Sequence, residues 1–218
     1  MRRFARPTGN CSMANFENPQ QTWNERYASS DYLFGESPNE FVRAAANHLA
    51  DGQSVLCVAD GEGRNSVWLA ERGLRVTAFD FAQNAVDKAR QLAQRRKVSV
   101  DFHVADIETW RFEAARYDAV VAIFIQFLGP KARDDVFARM QSAVKPGGLF
   151  LLEGYRPEQL QYRTGGPGVI ENLYTREWVE HAFADWQVLL LREYDAVLHE
   201  GTRHSGMSAL IDVVARKR

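Results

Sequence analysis

The sequence predicts an α/β fold in which apolar strands alternate with amphipathic helices. The strongest indication is the stretch from Ser54 to Asp80, where an apolar run, a glycine turn, an amphipathic segment and a second apolar run ending in an acid succeed one another. The alternation continues beyond this unit, and no repeat or low-complexity tract interrupts it. Because 218 residues suffice for one sizeable core, we expect a disordered tail over residues 1–20 and a single domain over residues 21–218.

The elements are predicted in chain order from their apolar spacing and their end signals. Ser37, Pro38, Asn39 and Glu40 have the pattern of a capping box, with proline in the first turn of a helix that runs through His48. The apolar runs that follow are typical of a parallel sheet covered by helices. They predict strands over 55–58, 74–79, 98–104, 117–125 and 149–152, and helices around 67–70, 83–95 and 132–144.

The C-terminal third begins with a turn-rich connection. Residues 156–168 carry several glycines and prolines, which predicts an irregular loop of the kind that often determines specificity. Thr175 is predicted to cap a short helix that ends near Phe183. Two β-rich segments, 186–198 and 208–214, are joined by a polar turn, so we expect an antiparallel pair that closes the sheet.

The composition excludes several classes of function. A formal net charge of −1 provides no general attraction to nucleic acid or to an anionic membrane. The longest apolar run, 119–128, is half of the about twenty residues that a membrane span needs. Cys11 lies in the expected tail and Cys57 in a predicted buried strand, which favours a reducing, cytoplasmic location. The five histidines are scattered, so we expect no metal site.

The glycine turn indicates which nucleoside the chain binds. A dinucleotide pattern GxGxxG, laid over Ala59, Gly61 and Arg64, fails at its first and third glycines, and this argues against NAD. Small residues at Ala59, Gly61 and Gly63 instead let the backbone approach a compact ligand that has no pyrophosphate. S-adenosylmethionine (SAM) is such a ligand.

Four motifs carry a resemblance to a known family. They are ADGEGRN after the first strand, the acid Asp80 after the second, ADI at 105–107 and KPGG at 145–148. With them the chain resembles the class I SAM-dependent methyltransferases, and in particular their small tellurite-resistance-type branch. The resemblance implies a Rossmann-like, mostly parallel seven-stranded sheet of order 3-2-1-4-5-7-6, with the last strand antiparallel and helices on both faces.

The resemblance also implies a function. It predicts an enzyme that transfers the methyl group of S-adenosyl-L-methionine to a small-molecule acceptor, with thiols and metalloid oxyanions among the candidates. Two alternatives stay open, namely a SAM-binding sensor without turnover and an enzyme that uses SAM for another chemistry such as aminopropyl transfer. The sequence leaves the acceptor and the oligomeric state open.

Some cofactor contacts are predicted from the residues themselves. Asp80 ends the second strand, where a carboxylate accepts hydrogen bonds from both hydroxyl groups of a ribose. The alternative is that its negative charge interacts favourably with the dipole at the N-terminus of the next helix. A side chain at Gly61 or Gly63 would occupy the space of the ligand. Asn65, at the helix start, contacts the ligand or a free backbone N–H, and Phe81 packs on adenine.

Other contacts follow only from the resemblance. Asp106 would accept from the adenine amine and Ile107 would contact the ring, although a surface turn is the alternative for the acid. Many relatives have an acid near the end of the first strand that pairs with the ammonium group of the cofactor, whereas this chain has Cys57 there. We interpret Cys57 as a core residue and Asp60 as an alternative partner for the ammonium group. Four further candidates have core or packing alternatives: Ile123 and Phe124 beneath the methionine portion, and Tyr27 and Phe34 in a partial lid.

The predicted reaction makes few chemical demands on the protein. A sulfonium methyl is already electrophilic, so the protein must hold a nucleophile in line at about 3 Å and exclude water. A base is needed only if the nucleophile carries a proton. The candidate catalytic residues are Tyr155, Tyr162 and His204, with Glu153 as a further helper. Glu62 and Arg64 are expected to pair in solvent or to contact the ligand.

Overall fold

A computed structural model describes residues 19–201 and 204–218 of the chain. Most of the expected N-terminal tail, including Cys11, lies outside the described residues, and the last two residues of that tail instead begin a helix. The helices are α1 (Pro19–Arg26), α2 (Glu40–Ala45), α3 (Arg64–Glu71), α4 (Gln83–Arg96), α5 (Pro130–Ala143), α6 (Gln159–Tyr162) and α7 (Arg176–Ala182). The strands are β1 (Ser54–Val58), β2 (Arg75–Asp80), β3 (Asp101–Val104), β4 (Tyr117–Ile123), β5 (Val144–Tyr155), β6 (Trp186–Glu200) and β7 (His204–Lys217).

The seven strands form one sheet of order β3-β2-β1-β4-β5-β7-β6, as expected. β1 to β5 are parallel, whereas β7 lies antiparallel to both of its neighbours, β5 and β6. The sheet is therefore mixed rather than mostly parallel. The reason is the short connection between β6 and β7, since strands joined by a tight turn pair antiparallel, whereas parallel strands need a crossover.

The sheet is covered on both faces because its central strands are apolar at consecutive positions. Successive side chains of a strand point to opposite faces. In β1, Val55 and Cys57 pack in one apolar cluster while Leu56 and Val58 pack in the cluster on the other side. Within the described ranges, no helix has the length and apolarity needed to cross a membrane.

Several element ends differ from the sequence prediction. Asn39, not Ser37, caps α2: its side chain accepts a hydrogen bond from the backbone N–H of Val42 at 3.0 Å. Pro38 therefore lies before the helix. Thr175 caps α7 as predicted, by accepting from the N–H of Trp178. The predicted loop after β5 contains α6, and a 3₁₀ turn at Ile170–Asn172 follows the loop.

The last two strands, β6 and β7, are longer than the apolar segments from which they were predicted. Their pairing continues to the tip of the hairpin, where Glu200 is opposite His204. Backbone pairing extends them because it does not depend on apolar side chains. This extension brings the start of β7 to the carboxyl-terminal edge of the parallel strands.

The strand order creates a crevice at that edge. From β1 the chain crosses to β2 on one side, and from β4 it crosses to β5 on the other. Helices leaving in opposite directions open a gap at the carboxyl ends of β1 and β4, which is where ligands bind in open α/β sheets.

Candidate functional site

A cleft lies at this edge of the sheet. It encloses about 1000 Å³ of empty space, part of it open to solvent, a size suited to a small molecule. Its floor comes from the ends of the central strands, and its other walls come from α1, from the segment around Phe34, from the loop at Gly166 and from the start of β7. The predicted cofactor residues that line it are Tyr27, Ala59, Asp60, Gly61, Asn65, Asp80, Phe81, Ile123 and Phe124.

The turn after β1 has a left-handed backbone. Ala59 has φ +47° and Gly61 has φ +61°. A Cβ at Gly61 would lie 3.3 Å from the hydroxyl of Tyr27, so a side chain here would crowd the cleft. Phe124, at the end of β4, has φ +56°. Left-handed residues other than glycine are strained, and such strain is common at functional sites.

Asp80 is a buried carboxylate at the edge of the cleft. It is 5% exposed, its Oδ2 accepts from the N–H of Gly61 at 2.9 Å, and its Oδ1 accepts from the N–H of Ala82 at 2.9 Å. Burial raises its pKa to about 6, although the backbone donors oppose the shift. Each oxygen keeps a further lone pair, so an ionised Asp80 can still accept hydrogen bonds from a ligand.

Asp60 adds a second carboxylate to the cleft. The hydroxyl of Ser66 donates to it. Burial raises the pKa of Asp60 to about 7, and the charge of Asp80 adds to this shift. Two carboxylates in one cleft give it a negative potential that favours a cationic ligand.

The α1 helix forms part of the cleft wall. Its Asn24 accepts from the N–H of Asn84 and receives a second hydrogen bond from that side chain, both at 2.8 Å. Tyr27 packs with Ala85 of α4 while also lining the cleft. Tyr27 therefore lines the cleft and also attaches the N-terminal helix to α4, whereas its role as a lid over the cofactor stays a prediction.

Gly63 has a different role from the predicted one. It caps α3 with φ +87°, and a Cβ there would lie 2.7 Å from the Cβ of Ala89 in α4. A side chain at Gly63 would therefore clash with α4 and would not enter the space of a ligand. The glycine is required for the close packing of two helices.

Asp106 and Ile107 lie outside the cleft lining. The chain turns immediately after β3, and the carboxylate of Asp106 accepts from the N–H of Glu108 at 2.8 Å. Ile107 is 4% exposed and packs in the main apolar core. Their contacts with adenine stay a prediction.

Two of the candidate catalytic residues are not suited to that role. The hydroxyl of Tyr162 donates to Asp195 of β6 at 2.7 Å at an exposed position, and Tyr162 is not among the residues that line the cleft. Glu153 is 2% exposed, and burial together with the charges of Asp212 and Glu200 raises its pKa well above the ordinary value. Because burial disfavours its charged form and it is not among the residues that line the cleft, Glu153 is poorly suited to act as a base on a ligand there.

His204 and Tyr155 do lie in the cleft. The imidazole centroid of His204 is 4.5 Å from the ring of Phe34, 4.5 Å from that of Phe124 and 5.8 Å from that of Tyr155. Its Nδ1 is 3.4 Å from Oε2 of Glu200. Burial lowers the pKa of His204, so its ring is neutral at neutral pH.

The ion-pair partners of two charged residues of the site were not predicted from the sequence. Arg64 lines the cleft and forms an ion pair with Glu200 at 2.8 Å, both side chains being about nine-tenths buried. Glu62 pairs instead with Lys88 at 2.5 Å, so the expected solvent pair of Glu62 and Arg64 is wrong. The only sequence signal for such pairs was the presence of charged residues beside apolar runs.

Cys57 also lines the cleft, from the end of β1. It is 1% exposed, and burial raises the pKa of its thiol well above the ordinary value. A thiol that does not ionise is a poor nucleophile, which agrees with its interpretation as a core residue.

Comparisons with known proteins agree with this geometry. Residues 55–148 match a family model described as a methyltransferase domain. A ubiquinone biosynthesis O-methyltransferase of Methylocella silvestris is 36% identical over 100 residues, which are 45% of this chain and 38% of that protein. The chain spans between 38% and 58% of the length of the first curated relatives that it matches.

Solved structures share the fold. TehB from Haemophilus influenzae has a TM-score of 0.70 at 19% identity, covering 91% of this chain and 67% of its own. The 1,6-didemethyltoxoflavin-N1-methyltransferase of Burkholderia thailandensis, with bound 1,6-didemethyltoxoflavin and S-adenosylhomocysteine, has a TM-score of 0.60 at 20% identity, and the match covers 82% of this chain and 77% of that chain.

Proposed function

We propose that this chain is a SAM-dependent methyltransferase that methylates a small-molecule acceptor in the cleft described above, since its residues 55–148 match a family model described as a methyltransferase domain. The observation that carries the proposal is the buried carboxylate of Asp80 beside the left-handed turn at Gly61. A compact nucleoside needs this combination, since the turn leaves room for it and the carboxylate accepts from its hydroxyl groups.

The residues that line the cleft match the successive parts of the cofactor: ribose, base, cationic portion and methionine portion. Asp80 binds the ribose and Phe81 contacts the base. Asp60, ionised above its pKa of about 7, attracts the cationic portion of the cofactor. Ile123 and Phe124, at the end of β4, lie beneath the methionine portion. Asn65 is held in place by the backbone N–H of Asn39, which donates to its side chain at 2.9 Å.

The remaining end of the cleft is available to the acceptor. When bound, SAM supplies a methyl carbon to which the acceptor's lone pair forms a bond, while the carbon–sulfur bond breaks and its electron pair stays on sulfur. The protein has to align the acceptor and keep water out. Tyr155 and His204 line this end, and the neutral imidazole is able to accept a proton.

The proposal is tested with SAM that carries a labelled methyl group. The protein is incubated with a panel of thiols, phenols, selenite and tellurite, and the label is measured in each acceptor. We expect transfer to at least one acceptor and production of S-adenosylhomocysteine. Tight SAM binding without transfer to any acceptor would indicate a sensor, and acceptor-dependent formation of methylthioadenosine would indicate transfer of the cofactor's 3-amino-3-carboxypropyl group instead of its methyl group.

A further inference from the structure

The acceptor end of the cleft has an aromatic wall. Phe34, Phe124 and Tyr155 surround the imidazole of His204, and the rings of Phe124 and Tyr155 are stacked with centroids 4.6 Å apart. Stacked and edge-on rings at such distances are the contacts that a planar aromatic molecule makes with a protein. This wall lies at the ends of β4 and β5, on the far side of the cleft from Asp80.

The imidazole of His204 has a defined orientation. Its Nδ1 faces the carboxylate of Glu200, which holds the proton on that nitrogen and leaves Nε2 as the acceptor. Burial opposes the charge of Glu200, but the contacts with His204 and Arg64 together lower its pKa to about 2. Glu200 is therefore a permanent carboxylate that also stabilises a protonated imidazole.

The charges of the cleft disfavour an anionic acceptor. Arg64 is the cationic side chain at this end among the described lining residues, and it is paired with Glu200. Asp60 and Asp80 add negative charge at the cofactor end. A metalloid dianion would meet carboxylates and an arginine whose charge is already offset.

Resting on the proposed methyl transfer, we infer that the acceptor is an uncharged aromatic molecule with a hydroxyl or thiol group, whose proton His204 removes, and that Glu200 is the positioning residue for His204. The proton passes from the acceptor oxygen or sulfur to Nε2 of His204. The lone pair that this frees forms the bond to the methyl carbon. The imidazolium is stabilised by Glu200 and later releases its proton to solvent.

The acceptor class is tested with catechol, benzyl mercaptan, glutathione and tellurite. Each compound is titrated into the complex of the protein with S-adenosylhomocysteine by calorimetry, and each is assayed with labelled SAM. We expect catechol or benzyl mercaptan, both uncharged at neutral pH, to bind and to be methylated, and glutathione and tellurite to be at least about tenfold poorer. Methylation of tellurite or glutathione in preference to both aromatic compounds would overturn the inference.

The same titration separates this inference from the proposed function. If S-adenosylhomocysteine itself does not bind, the proposed function fails and the inference fails with it. If S-adenosylhomocysteine binds while neither aromatic compound binds or accepts label, only the acceptor assignment is overturned.

The roles of His204 and Glu200 are tested by pH profiles. Activity of the wild type should fall as the pH drops through the pKa of His204, below its ordinary value, because a protonated imidazole cannot accept a proton. His204→Gln should lose about 100-fold or more in kcat and lose this acid limb. Glu200→Gln should lose about tenfold in kcat, with the acid limb moved to lower pH because the imidazolium has lost its carboxylate.

A matched control and a second readout exclude a merely structural effect. Glu193→Gln is the same substitution on the same strand, at a carboxylate that pairs with Arg176 away from the cleft, and it should leave kcat and the profile unchanged. NMR titration of the histidine C–H signals should show the pKa of His204 falling further in Glu200→Gln. An unchanged pKa, or a His204→Gln variant with wild-type kcat, would overturn the assignment.

Discussion

At the scale of single residues, Asp80 combines burial with capacity for further hydrogen bonds. Its two oxygens already accept from the N–H groups of Gly61 and Ala82, which fixes the carboxylate at the edge of the cleft. Burial disfavours its charge and raises its pKa to about 6. A ligand that donates hydrogen bonds to the ionised form relieves part of this desolvation, so binding and ionisation are linked.

Asp80→Asn should raise the dissociation constant of S-adenosylhomocysteine by about 10–100-fold, because an amide has one acceptor oxygen and no charge. In the wild type, affinity should weaken as the pH falls through about 6, where Asp80 becomes protonated, and the variant should lose this dependence. Calorimetry at several pH values measures both effects. Asp87→Asn is the control: Asp87 lies in α4, is half-exposed and pairs with Arg90, so this variant should bind S-adenosylhomocysteine with wild-type affinity. Wild-type affinity in Asp80→Asn would refute the ribose assignment.

At the scale of elements, the glycine turn acts on helix packing as well as on the ligand. Gly61 gives room in the cleft, whereas Gly63 lets the start of α3 lie against Ala89 of α4. The sequence showed two equivalent glycines, and only the packing of α3 on α4 distinguishes them. The position of α3 in turn sets where Asn65 and Arg64 enter the cleft.

Gly63→Ala should lower the free energy of unfolding by about 2–4 kcal/mol, since its Cβ would overlap Ala89 and its φ of +87° strains any side chain. Gly52→Ala is the matched control, with φ +77° and nothing within 4 Å of the added Cβ, and should cost only about 1 kcal/mol. Urea unfolding of both variants gives the comparison. Equal losses would mean that the contact with Ala89 relaxes without cost.

At the scale of the whole molecule, the sequence predicted the part of the site that is local in the chain. The β1–α3–β2 unit places Gly61, Asp60 and Asp80 together within 21 residues, and its apolar spacing is a direct consequence of burial. The strand order came from the resemblance, because periodicity alone does not determine which strands are neighbours.

The acceptor end could not be predicted in the same way. It depends on pairs that lie far apart in the chain, such as Arg64 with Glu200, separated by 136 positions, and Asn39 with Glu153, separated by 114. Local spacing carries no information about such contacts. Tyr162 was assigned wrongly for the same reason, since its partner Asp195 lies 33 positions further along the chain.

The most direct test of the central claim is a crystal structure of the protein with S-adenosylhomocysteine. We expect the nucleoside in the cleft, with both ribose hydroxyls within hydrogen-bond distance, about 2.7 Å, of the Asp80 carboxylate and with the ligand backbone against Gly61. A ligand bound elsewhere, or a cleft filled by its own side chains at saturating ligand, would contradict the assignment of this cleft as the cofactor site.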